Sequence, residues 1–340
     1  VAKRPKLSKK QKRQVSENRN RRLSYTDAKD AKDLGPQHNG RVISRFGKHA
    51  IVENETDRTQ HKCFIRRTID SVVCGDLVIF RPSENQGQRG IIEVVKTRHT
   101  VLTRPDYYDG IKPIAANVNQ IIIVSSILPA FSTHIIDRYL VACEDAEIPP
   151  VIAINKIELL DEDSFDDVSS QMQDYVDLGY PVHYVSCKSG QGIEDIKQRL
   201  LGKTSVFVGQ SGVGKSSLVN QILPDADEAI GEVSSNSGLG QHTTTAAKLI
   251  HFENGGELID SPGVREFGLW HIDEERIARG FIEFREYLGG CKFKDCKHIN
   301  DPGCLITEAV EKGAISYERY YSFVKIIESL ATSRPTNTKN

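Results

Sequence analysis

The chain has 340 residues, 38% of them hydrophobic, with a mean hydropathy of -0.40. That is enough apolar material for two or three cored domains, with room for unstructured tails. Its 45 Lys and Arg nearly cancel 46 Asp and Glu, yet the balance hides an asymmetry. Lys3 to Arg22 is densely basic with Glu17 as its only acid, so near-neutrality does not exclude a polyanionic partner. No apolar run is long enough to span a bilayer, and no apolar stretch follows the basic start. A membrane partner and a signal peptide are therefore not expected, and the expected compartment is the cytoplasm.

Residues 1–37 lack hydrophobic periodicity and read as a disordered basic arm, suited to RNA phosphates with steeply salt-dependent affinity. From Gly40 the style changes. Arg41–Glu53, Asp76–Phe80 and Gly90–Val95 are short and rich in Val and Ile, separated by turn-forming stretches such as Arg81–Gly87. Over residues 38–112 this predicts a five-stranded OB-type barrel, which either binds oligonucleotides or serves only for packing.

From Gln120 strands alternate with helices. Strands are expected at Ile121–Ile127, Pro150–Asn155, Pro181–Ser186 and Ser205–Gly209, with helices at Ser132–Ala146, Asp166–Leu178 and Ile193–Leu200. This predicts an α/β domain over residues 113–272 with a doubly wound sheet, whose ligands sit beyond the carboxyl ends of its strands. The pattern then turns helical over residues 273–331, before a short disordered tail at 332–340.

The motifs fall at those strand ends. Gly209, Gln210, Ser211, Gly212, Val213, Gly214, Lys215 and Ser216 form a full P-loop, flanked by Val208 and Ser217. Its glycines let successive N–H groups face phosphate oxygens, Lys215 reaches the β- and γ-phosphates, and Ser216 offers its hydroxyl to Mg2+. ELIDSPG places Asp260 as a second magnesium ligand and Gly263 as a γ-phosphate sensor. Between them, Gly238–Thr245 reads as a switch loop in which Thr243, Thr244 or Thr245 supplies a further hydroxyl, Thr244 being preferred. Asn155, Lys156, Ile157 and Glu158 match the guanine-reading NKxD motif with Glu in place of Asp. Ser186, Cys187 and Lys188 resemble the loop that braces the base. The expected ligands are GTP and GDP with Mg2+.

Cys291, Cys296, His298 and Cys304 are spaced C-x4-C-x-H-x5-C, three thiolates and an imidazole suited to one structural zinc ion with no open position. Cys63, Cys74, Cys143 and Cys187 stand apart and are expected to be buried thiols. His183, His251 and His271 have no such neighbours and read as ordinary core or surface residues.

The base-reading motifs precede the P-loop, so the domain is circularly permuted. With a barrel before it and a cysteine cluster after, residues 38–331 closely resemble the YjeQ/RsgA family of ribosome small-subunit biogenesis GTPases. The resemblance implies an OB-fold domain, a permuted GTPase domain and a C-terminal zinc domain, in a factor that acts on the small ribosomal subunit late in maturation; its rRNA is the expected partner and a monomer the expected state. It also implies hydrolysis stimulated by the subunit. Val264 stands where Ras-like proteins orient water with glutamine, and the resemblance gives that catalytic role to His242. A competing reading is a nucleotide-regulated RNA-binding module in which hydrolysis is incidental. A P-loop kinase or ATPase would leave the NKIE motif unexplained.

Overall fold

The computed structural model describes residues 34–85, 88–106, 110–223, 247–253, 255–260, 269 and 272–333. The basic run, His242, Thr243–Thr245, Gly263, Val264 and His271 lie outside them.

Five strands build the N-terminal barrel: β1 (His38–Phe46), β2 (His49–Asn54), β3 (Gln60–Ile65), β4 (Leu77–Arg81) and β5 (Gly90–Val95). They run in the order β1-β2-β3-β5-β4, and β4 pairs back onto β1, which leaves no open edge. Alternate residues point inward, and Val42, Ala50, Val52, Cys63, Val78, Phe80 and Ile92 fill the interior. Gly40 is required by this packing, since a Cβ there would lie 2.5 Å from Val52 and 2.7 Å from the Phe80 ring. Arg41–Glu53, expected as one apolar segment, is a hairpin turned at Gly47, whose φ of 58° suits glycine. A separate hairpin, β6 (Val101–Asp106) and β7 (Gly110–Ala116), follows the barrel, and residue 112 lies within its second strand.

The second unit is a six-strand array in the order β10 (Val182–Val185), β9 (Pro150–Asn155), β8 (Gln120–Ser126), β11 (Thr204–Val208), β13 (Glu257–Asp260) and β12 (Lys248–His251). All pairings are parallel except β12 on β13. Strands β8, β9 and β11 are buried throughout, as expected for strands covered on both faces. Ile121, Ile123, Ile152, Ile154 and Val206 share a core with α1 (Thr133–Asp145) and α2 (Glu162–Asp177). Ile122, Val124, Val151, Ala153 and Phe207 pack instead with α3 (Ile193–Leu200) and α4 (Lys215–Ile222). Strand β12 also pairs with barrel strand β1, Ser44 opposite Lys248, so barrel and sheet are continuous.

The C-terminal helices are α5 (Glu274–Gly280), α6 (Leu305–Glu311) and α7 (Tyr317–Ser333). Phe281, Phe284 and Phe323 cluster with ring centroids 4.9–5.7 Å apart and merge with the core under α1. Among the described residues, no helix is long and apolar enough to cross a membrane.

Candidate nucleotide site and metal cluster

The P-loop leaves the end of β11 and enters α4. Gly209 has φ of 143°, and a Cβ there would stand 2.1 Å from the Val124 carbonyl oxygen. Gly214 caps α4 with φ of 95°, and its Cβ would stand 2.2 Å from Asn155 Nδ2. Neither position tolerates a side chain. The first-turn N–H groups of α4 have no carbonyl ahead of them within the helix, a donor set suited to an anion. Lys215 Nζ donates to the carbonyls of Gly209 at 2.7 Å and Gln210 at 2.5 Å, folding the ammonium over the loop. Ser216 and Ser217 are exposed on the first turn, Gln210, Ser211 and Gly212 are exposed in the loop, and Val208 and Val213 anchor it in the core.

The 155–158 segment meets this loop directly. Asn155, 2% exposed at the end of β9, donates from Nδ2 to the Val213 carbonyl at 2.9 Å. Lys156 is left-handed, with φ of 66°, and its Nζ donates to the carbonyls of Gly212 at 2.7 Å and Leu128 at 2.5 Å. Ile157 is buried, while Glu158 is exposed on the short 3-10 turn that follows. At the end of β10, buried Ser186 accepts from the Ser189 N–H at 3.0 Å and so shapes the next turn. Cys187 is half-buried, unlike the buried Cys63, Cys74 and Cys143, and its thiol donates to Asn155 Oδ1 at 3.5 Å. Burial pushes that thiol's pKa up. Lys188 is exposed beside it. Asp260 ends β13, the neighbour of the P-loop strand.

Two supports have no motif to announce them. Gln221 on α4 donates to the Cys187 carbonyl at 3.1 Å, tying the P-loop helix to the turn after β10. The Tyr139 hydroxyl on α1 lies close to the Gly209 backbone, which offsets part of the rise that burial imposes on its pKa. Both depend on tertiary placement, which a local pattern does not carry.

The four spaced metal-ligand candidates converge. Their ligand atoms lie within 4.8 Å of one another, and His298 Nδ1 is 3.6, 3.4 and 3.5 Å from the sulfurs of Cys291, Cys296 and Cys304. A tetrahedral zinc with Zn–S of about 2.3 Å and Zn–N of about 2.0–2.1 Å sets N···S edges of roughly 3.6 Å. The residues fit the ion. His298 takes a left-handed φ of 60°, and its carbonyl accepts from Tyr320 Oη at 3.1 Å, so α7 fixes the turn that aims the imidazole.

A P-loop braced by an NKIE segment that comes earlier in the chain is the arrangement of a circularly permuted P-loop GTPase. The RsgA GTPase family model matches residues 95–270, just over half of the chain. A Pectobacterium carotovorum protein called small ribosomal subunit biogenesis GTPase RsgA is 56% identical over 333 residues, covering 96% of this chain and 95% of its own. A Proteus mirabilis protein of the same name is 56% identical over 337 residues, with 96% of each chain covered. Among solved structures, Thermotoga maritima YjeQ superposes with a TM-score of 0.72 at 35% identity, covering 88% of this chain and 100% of that one. YloQ, described as a circularly permuted GTPase, gives 0.70 at 31% identity, covering 88% and 97%. The chain belongs to the RsgA GTPase family, and it is a GTPase.

Proposed function

We propose that this GTPase acts in late maturation of the small ribosomal subunit, binding its rRNA and hydrolysing GTP when the subunit stimulates it. The observation that carries the nucleotide reading is the bond from Asn155 to Val213, which makes base loop and phosphate loop one pocket. In it, Lys215 and the α4 N-terminus hold the phosphates, Glu158 accepts from the guanine edge, and Ser186, Cys187 and Lys188 form its rim. Ser216, Asp260 and Thr244 are the residues to hold Mg2+, which neutralises charge developing on the phosphates. Gly263 senses the γ-phosphate and His242 orients the attacking water. Residues 38–112 act as an OB-type domain, 113–272 as a doubly wound GTPase domain and 273–331 as a zinc domain, in a cytoplasmic monomer. The cluster of Cys291, Cys296, His298 and Cys304 is the zinc site.

The barrel surface supports an RNA partner. Phe64 on β3 is 39% exposed, with Arg89 5.0 Å from its ring centroid and His49 edge-on at 4.7 Å. Lys48 and Lys62 stand close enough to help hold the His49 pKa low, behind burial and Arg89 as causes. An exposed aromatic ring among cations on the second and third strands of such a barrel suits a stacked base and its phosphates. Co-sedimentation with purified small subunits tests the reading. Binding is expected to be tighter with a non-hydrolysable GTP analogue than with GDP and to weaken steeply with salt. Equal binding in both nucleotide states, or none, would overturn it.

A further inference from the structure

The seam between barrel and GTPase sheet holds a cluster of charged side chains that the nucleotide site does not use. Arg41 of β1 reaches across to Glu257 of β13, Nη1 to Oε2 at 2.5 Å. Its Nη2 donates to Thr204 Oγ1 at 2.8 Å, and that hydroxyl donates to Glu257 Oε2 at 2.8 Å. Glu53 of β2, whose side chain is 6% exposed, stands 2.9 Å from His251 Nε2 on β12 and 2.9 Å from Arg58 Nη1. His251 Nδ1 lies 3.5 Å from Glu257 Oε1, closing a chain of contacts from the barrel to both strands of one hairpin.

That hairpin is the element between the two switch segments. Strand β12 follows the threonine stretch in sequence, and β13 ends at Asp260. Across it, His251 opposes Glu257 at one end and Lys248 opposes Asp260 at the other, while Lys248 also pairs with Ser44 of the barrel. Glu257 and Asp260 are three residues apart on one strand, roughly 10 Å at about 3.3 Å per residue. A strand is stiff over that length, so a shift at the seam moves Asp260 with it.

We infer that Arg41, Glu53, His251 and Glu257 are positioning residues that couple the barrel's RNA contact to the placement of Asp260. RNA held on the barrel sets the hairpin through Arg41 and Glu53, and nucleotide state acts back along the same strands. The binding part of this coupling is reciprocal: if GTP tightens subunit binding through the seam, the subunit tightens GTP binding by the same factor, and the placement of Asp260 that both favour is the one that serves hydrolysis. The inference rests on the proposed function, because it presumes both the RNA face and the role of Asp260.

The test compares the parent, Arg41→Gln and Arg41→Lys. It measures GTP affinity, single-turnover hydrolysis with and without saturating small subunits, and subunit affinity in GDP and in a non-hydrolysable GTP analogue. Arg41→Gln is expected to keep GTP affinity and basal turnover within about twofold of the parent, to lose stimulation tenfold or more, and to bind the subunit equally in both nucleotide states. Arg41→Lys, which keeps the charge opposite Glu257, is expected to recover part of both effects. A purely structural role would lower both activities together and would not equalise the two nucleotide states. Stimulation of Arg41→Gln at the parental level would overturn the coupling alone. A parent protein that the subunit does not stimulate would overturn the functional reading and the coupling with it.

Discussion

Asn155 and Val213 are 58 residues apart in sequence and joined by a 2.9 Å hydrogen bond from side-chain amide to carbonyl. The bond fixes the end of β9 to the P-loop, so the two segments hold each other in place. Asn155→Ala leaves the Val213 carbonyl without its partner, a loss of about 1–3 kcal/mol or roughly 5- to 150-fold. GTP and GDP affinity should fall together by that factor in fluorescence titrations. Affinities within twofold of the parent would mean that the loop holds its shape without Asn155.

Glu158 keeps the carboxylate of the usual aspartate at an exposed position on its turn. The parent should therefore prefer guanine over adenine nucleotides, and Glu158→Gln should lose at least tenfold of that preference, because its amide turns a donor toward the guanine donors. Competition binding with GDP and ADP reads the ratio. Equal affinity for both in the parent contradicts the assignment.

One zinc ion per chain should survive dialysis, with Cys291→Ser or Cys304→Ser releasing it. Loss of the ion should unfold the segment around α6 and leave GTP affinity within about twofold, since the cluster does not touch the P-loop. Elemental analysis reads the first outcome and nucleotide titration of the variant the second. Freshly purified protein without zinc would remove the claim.

Arg319 on α7 is 2% exposed and paired with buried Asp137 of α1 and with Glu283, to which its Nε donates at 2.7 Å. Tyr175 Oη adds a 2.6 Å hydrogen bond to Asp137. Arg319→Met strands buried Asp137 and half-buried Glu283 without a cation and should cost about 3–5 kcal/mol in urea unfolding. A change below about 1 kcal/mol would show that solvent reaches the pair.

What was legible in the sequence is what local spacing determines. The glycines of the P-loop and the apolar run before Asn155 place both motifs at strand ends, because turn chemistry and burial act over a few residues. The spacing of Cys291 to Cys304 works in the same way. The seam was not legible: His251 reads as an ordinary histidine until β12 lies beside the barrel and brings it to Glu53. Nothing in its own segment singles out Arg319, since only the packing of α7 on α1 buries it against Asp137. Cys187 looks like the other lone thiols, and its orientation toward Asn155 exists only once β9 and β10 are paired.

The protein is a GTPase of permuted motif order, and its work is on the small ribosomal subunit. Single-turnover hydrolysis of GTP and of ATP, by the parent and by Lys215→Ala, with and without saturating small subunits, tests it most directly. Slow hydrolysis of GTP by the free protein, acceleration of at least tenfold on the subunit, little turnover of ATP, and loss of most activity in Lys215→Ala are expected. Equal rates with and without subunits, equal use of ATP, or full activity in Lys215→Ala would contradict this.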